Sequence, residues 1–228
     1  MSNWSDTLAV FDLETTGIDV ETSRIVSATV AVIDVSGAVV ERVDWLVDPG
    51  IEIPEQATNV HGISTAEAVA NGRVAAEGVA EIVATIRDLL GRGLPIVAYN
   101  APYDFSLLNR EALRYGIAPL VSPSPVIDPL VIDKQVDRYR KGKRTLEVTS
   151  AFYGVSLDDA HDAGADAIAA GRVAQAIARA HLAALPETGA ELHVLQVGWA
   201  LQQAASFQDY MRRQRDPAFV ASGVWPER

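Results

Sequence analysis

The sequence contains no cysteine, which excludes a disulfide framework, a thiolate zinc site and a cysteine nucleophile. Any metal must then be held by oxygen or imidazole ligands, and hard cations such as Mg²⁺ or Mn²⁺ are the natural candidates. Long apolar runs are also missing: none reaches the roughly 20 residues that a membrane-spanning helix needs. Residues 1–7 lack the basic and apolar regions of a signal peptide, so a soluble, cytoplasmic protein with no membrane partner is expected. Neither an internal repeat nor an aromatic ladder of the kind that grips long single strands is evident. Positive charge is scarce, with 19 Lys and Arg against 30 Asp and Glu and a formal net charge of -11. That balance argues at first against a phosphate-rich partner, because phosphate backbones reward a basic face. Net charge is only a sum, however. The stretch 134–144 holds Lys134, Arg138, Arg140, Lys141, Lys143 and Arg144 against Asp133 and Asp137, a local basic stripe that fits either a phosphate contact or a solvated loop.

With 228 residues and 49% hydrophobic content, the chain can bury one full core. Residues 7–13, 25–35 and 38–46 are rich in Val, Ile and Ala, with a Ser36-Gly37 turn between the last two, and predict a three-strand meander. A loop around residues 49–54 follows, then helical spacing over 75–90, carried by Val79, Ile82, Val83, Ile86, Leu89 and Leu90. Strands are expected at 95–99 and 125–127, and helices at 104–115, 146–153 and 162–185, the last Ala-rich and stopped by Pro186. Meander followed by alternating helix and strand indicates an α/β sheet with helices on its faces. Beyond Pro186 the pattern changes to a helix over 189–213, with Leu192, Leu195 and Trp199 on one stripe, and an extended end over 216–228. The division expected is therefore a catalytic-size domain over 1–185 and a C-terminal helix and extended tail over 186–228, the stripe packing on the domain or on a second copy.

Three groups of residues carry chemistry. Asp12 and Glu14 end an apolar strand in Phe-Asp-Leu-Glu-Thr-Thr-Gly, and side chains two apart on a strand point the same way. Two adjacent carboxylates are costly without a cation, although a lone Asp-x-Glu fits a solvated strand end equally well. Asp104, in Asn-Ala-Pro-Tyr-Asp, again follows a short apolar strand, where α/β sheets place their sites; it also suits a helix N-cap. His161 and Asp166, in His-Asp-Ala-Gly-Ala-Asp, open the Ala-rich helix. A histidine of near-neutral pKa is well suited to accept a proton from water, and a capping histidine is the plainer alternative. Small residues at Ala163 and Ala165 would let this helix approach the sheet closely.

The ordered set Asp-x-Glu-Thr-Thr-Gly, Asn-Ala-x-x-Asp and His-x-Ala-x-x-Asp resembles the DEDDh exonucleases, the family of the epsilon proofreading subunit of bacterial DNA polymerase III, over residues 7–185. The resemblance implies a ribonuclease H-like fold: a mixed five-stranded sheet flanked by helices, here with a C-terminal helical extension. It implies a 3′-to-5′ exonuclease that releases 5′-mononucleotides with two divalent cations, Mg²⁺ or Mn²⁺. By motif, Asp12, Glu14, Asp104 and Asp166 would be the metal ligands and His161 the general base for the attacking water. Thr15, Thr16 and His61, the last in His-Gly-Ile, would contact the terminal nucleotide. Asp128, after the strand at 125–127, is expected to stabilise a turn. The partner implied is nucleic acid with a free 3′ end, DNA ahead of RNA, with a polymerase subunit or a second copy able to dock on the tail. Three rival readings stay open: an RNA exonuclease of the same chemistry, a catalytically idle nucleic-acid- or polymerase-binding module, and a metal-dependent phosphatase or nucleotidase.

Overall fold

The computed structural model describes residues 3–157 and 163–228. Three long strands, β1 (Leu8–Thr15), β2 (Ile25–Ile33) and β3 (Val39–Asp48), form the expected antiparallel meander. Two short helices follow, α1 (Glu55–His61) and α2 (Thr65–Asn71), then a two-residue strand β4 (Arg73–Val74) and the long helix α3 (Ala75–Gly91). The chain continues through β5 (Ile96–Val97), α4 (Pro102–Arg114), β6 (Val126–Ile127), α5 (Pro129–Val136) and α6 (Leu146–Tyr153). It ends with α7 (Ala163–Ala180) and α8 (Gly189–Gln214). The sheet is mixed, in the order β4-β3-β2-β1-β5-β6, with β5 parallel to β1 and β6 parallel to β5.

The sheet has six strands rather than five, because two residues of β4 add to the outer edge of β3. Pairs that short carry no alternation to read. Helices α1, α2 and α5 were also not expected. α1 buries none of its residues and α2 only Ala68, so neither has an apolar stripe for periodicity to detect. The Ala-rich helix ends at Ala180 instead of running to 185, and a single 3₁₀ turn over Leu182–Ala184 leads to Pro186. Among the described residues, no helix is long and apolar enough to cross a membrane.

Strand alternation splits the core in two. Ala9, Phe11 and Leu13 of β1 pack with α3 and α4 residues such as Ile82, Ile86, Phe105 and Leu108. Leu8 and Val10 point the other way and pack with Ala167, Ala170, Val173, Ala174 and Ile177 of α7. α7 lies unusually close to the sheet. A Cβ placed on Gly171 would stand 2.4 Å from Val10 Cγ1 and 2.7 Å from Ile33 Cδ1, so no residue larger than glycine fits unless those side chains or the helix shift. This close approach lies further along α7 than Ala163 and Ala165.

Helix α8 covers the far edge. Gln196 is buried; its Oε1 accepts from the Asp128 amide at 2.7 Å and its Nε2 donates to the Val126 carbonyl at 3.0 Å. One side-chain amide thus occupies backbone groups of β6 that would otherwise lie open at the sheet edge. Of the stripe read from sequence, Leu192 is fully buried and Trp199 packs against the core, whereas Leu195 remains 41% exposed. The chain end returns over α4, with Trp225 buried and its Nε1 directed at Asp128 Oδ2 at 3.4 Å.

Candidate active site

The same alternation that sends Leu8 and Val10 toward α7 sends Asp12 and Glu14 there too, since all four share one face of β1. Asp166 lies in the first turn of α7 and approaches from the facing side. Oxygens of Asp12, Glu14 and Asp166 all lie within 4.8 Å of one another. Three carboxylates at that spacing repel one another unless positive charge stands among them, and an all-oxygen donor set suits a hard divalent cation. The residues present could therefore hold a metal ion.

Asp104 is placed beside this cluster but outside it. It sits in the first turn of α4, whose N-cap position is Ala101 and whose first residue is Pro102, so the capping alternative is not realised. The side chain is buried, and its pKa lies well above the ordinary carboxylate value. Burial is the main cause; hydrogen bonds from its own amide and the Leu13 amide oppose it, and the Asp128 and Glu14 charges add to it.

The turn carrying Asp104 is held by Asp128. That carboxylate accepts from the amides of Asn100 at 3.0 Å and Ala101 at 3.1 Å, and it caps α5 through the Leu130 amide at 3.0 Å. Burial raises the Asp128 pKa, with these hydrogen bonds acting in the opposite sense. The turn-stabilising role read for Asp128 is the one observed. Asn100 itself has φ 66°, a left-handed conformation that Asn tolerates better than most residues.

Around the carboxylates, β1 breaks register between Glu14 and Thr15, and the chain turns into a loop tied by side chains. The Thr15 hydroxyl donates to the Gly17 carbonyl at 2.8 Å; the Tyr103 hydroxyl donates to the same carbonyl and lies against Thr15 Oγ1. The Thr16 hydroxyl accepts from the Arg24 amide at 2.9 Å. Both threonine side chains are thus committed to the loop. His61, at the end of α1, accepts the Ile63 amide on Nδ1 at 3.1 Å. Its pKa is lowered by burial, with the Thr15 backbone acting the other way, so the structure brings His61 against the same loop. Tyr103 escaped the sequence reading, although it occupies an unassigned position of the Asn-Ala-x-x-Asp motif. His161 lies outside the described residues.

The basic stripe proves to be divided. Arg140 and Arg144 both bind the fully buried carboxylate of Asp133, and the Arg140 guanidinium stacks 3.9 Å from the Phe152 ring centre. These two are structural counterions, which removes them from the set of free phosphate contacts.

Comparison with known proteins gives this arrangement a lineage. The family model described as RNase_T exonuclease matches residues 9–174, a span that includes every carboxylate described above. The chain belongs to the RNase_T exonuclease family. A DNA polymerase III PolC-type protein of Lacticaseibacillus paracasei is 29% identical over 168 residues, covering 74% of this chain and 11% of that protein. A DNA polymerase III subunit epsilon-like protein of Rhodobacter capsulatus is 31% identical over 167 residues, covering 72% of this chain and 22% of that one. The exonuclease chain thus spans about a tenth of the PolC-type relative and about a fifth of the epsilon-like one. Among solved structures, E. coli exonuclease I bound to single-stranded DNA superposes with TM-score 0.64 at 20% identity, over 78% of this chain and 41% of its own. That likeness establishes the ribonuclease H-like fold.

Proposed function

We propose that this exonuclease-family chain is a two-metal 3′-to-5′ exonuclease that releases 5′-mononucleotides from DNA. The observation that carries the reading is the meeting of Asp12, Glu14 and Asp166 oxygens within 4.8 Å in a chain of this family. Asp12, Glu14 and Asp166, with Asp104 beside them, would hold two divalent cations, Mg²⁺ or Mn²⁺. Bound there, the cations would supply Lewis-acid stabilisation of charge on the attacking and leaving oxygens. His161, five residues before Asp166, is assigned as the base that takes the proton from the attacking water. That role rests on the His-x-Ala-x-x-Asp motif. Thr15, Thr16 and His61 line the loop that Tyr103 ties down, and this wall would admit a terminal nucleotide while excluding chain interior. DNA is preferred to RNA because the relatives carry the names of DNA polymerase subunits. Residues 1–185 would form the exonuclease domain, and 186–228 an appended helix and tail on which a polymerase subunit or a second copy can dock.

The test is digestion of 5′-labelled DNA and RNA oligonucleotides with Mg²⁺ or Mn²⁺, beside EDTA, Asp12→Ala, Asp166→Ala and His161→Ala controls. A DNA ladder shortening from the 3′ end is expected, lost in EDTA. Both aspartate variants should cut at least on the order of 10³-fold more slowly, with unchanged circular dichroism. His161→Ala should keep metal binding and lose most of the rate. Full activity in Asp12→Ala, or immediate release of the 5′ label as a mononucleotide, would refute the assignment.

A further inference from the structure

Lys134 of α5 and arginines of the segment after it face the outer half of α8 across a groove of about 620 Å³. Lys134 and Arg138 line one wall, Phe207 and Tyr210 the other, and each of the two aromatic side chains is 51% exposed. Arg140 and Arg144 also line the groove, but Arg140 pairs with both Asp133 and Asp137 and Arg144 with Asp133. The positive charge left for a ligand is therefore that of Lys134 and Arg138, neither of which has an ion-pair partner among the described residues. A second opening of about 410 Å³ shares Lys134, Gln203 and Phe207 with the first and runs along the α5–α8 seam to Asn100 and Pro102. Those last two residues flank the turn that carries Asp104.

A positively charged track beside exposed aromatic rings is the combination that follows a phosphate backbone and stacks bases. It stands out in a chain of net charge -11. No ladder of aromatics is visible in the sequence because the cations and the rings come from stretches about seventy residues apart, brought together only by the docking of α8.

We propose that the α5–α8 groove is an exosite for single-stranded nucleic acid, which holds the strand upstream of the end being cut. The choice of nucleic acid over other polyanions rests on the exonuclease reading above. Charge complementarity sets the class of ligand, and the aromatic wall separates a stacked nucleic acid from a merely acidic polymer.

The test uses the full chain in EDTA and fluorescence anisotropy with oligo(dT) of about 4 and about 16 nucleotides, the range over which such grooves act. The variants are the double substitution Lys134→Gln with Arg138→Gln, and separately Tyr210→Ala. The longer oligonucleotide should bind more tightly than the shorter one to the wild type. It should bind on the order of ten-fold more weakly to each variant, and the double variant should lose about 1.4 from the log–log salt slope, as expected for two phosphate contacts on a single strand. Cleavage of the 4-mer with Mg²⁺ should be unchanged in both, which also reports folding; if the double variant loses it, Tyr210→Ala decides. Equal affinity of the wild type for both lengths, unchanged 16-mer affinity in the correctly folded variants, or equally tight binding of poly-glutamate of matched charge would each overturn the exosite. Absence of 4-mer cleavage in the wild type would instead strike the exonuclease reading, so the two failures are distinguishable.

Discussion

Single side chains set the shape of the site more than they crowd it. Asp128 illustrates how a carboxylate near the acidic cluster can be occupied by backbone amides and the Trp225 indole, and so serve Asp104 by holding its turn. Tyr103 does the corresponding work for the loop after Glu14, with its hydroxyl on the Gly17 carbonyl and against Thr15. Replacing it with phenylalanine leaves the ring in place and removes only that tie, while the Thr15 hydroxyl still donates to Gly17. Tyr103→Phe is therefore expected to cost about 1 kcal/mol in urea denaturation, the usual net worth of one hydrogen bond. Because the loop is read as the wall around the terminal nucleotide, KM for a short oligonucleotide should rise several-fold while kcat moves little. A fall in kcat with unchanged KM would place Tyr103 in the chemical step instead.

At the scale of elements, the site is made where two of them touch. β1 supplies Asp12 and Glu14, α7 supplies Asp166, and the separation between strand and helix is set by Gly171 against Val10 and Ile33. Gly171→Ala gains helix propensity of about 1 kcal/mol, but its Cβ would overlap both neighbours, and overpacking of this kind costs roughly 1–3 kcal/mol. A net loss of stability is expected in denaturant titration. To the extent that α7 relieves the overlap by moving off the sheet, it carries Asp166 with it, and cation affinity should weaken as well. Unchanged affinity in a destabilised Gly171→Ala protein would mean that the helix tilts without shifting its first turn. Helix α8 belongs to the same scale: Gln196 fastens it to β6 and to Asp128, so the appendage supports the turn bearing Asp104 through two intervening hydrogen bonds.

Over the whole molecule, a few carboxylates among the described residues lie where burial makes charge costly. Asp104 and Asp128 both have pKa values raised above 3.8, chiefly by burial. A carboxyl whose folded pKa is raised keeps its proton where the unfolded chain has already released it, so its favourable contribution is full below the unfolded value and is lost as pH rises through the folded one. In EDTA, stability measured by urea unfolding should fall with pH above about 4, and less steeply in Asp104→Asn, which has no proton to lose. Mg²⁺ should restore stability in the wild type near neutral pH, by about 2.7 kcal/mol at a hundred times its dissociation constant. Identical pH profiles for the two proteins would remove Asp104 as the source of the slope. Much of this molecule was legible before any coordinates. Strand and helix periods located β1, β2, β3, α3 and α8 to within a few residues; strand period two put Asp12 and Glu14 on one face, and the family resemblance of the ordered motifs added Asp104 and Asp166 to them. Elements too short to show a period, such as β4, α1 and α2, left no mark in the sequence. Only the tertiary structure decided which acids meet and which merely adjoin. It turned Arg140 and Arg144 inward to Asp133, and it set Phe207 and Tyr210 of α8 beside Lys134 and Arg138 of a distant segment. Proximity between residues far apart in the chain follows from how helices pack on the sheet, and no local pattern encodes it.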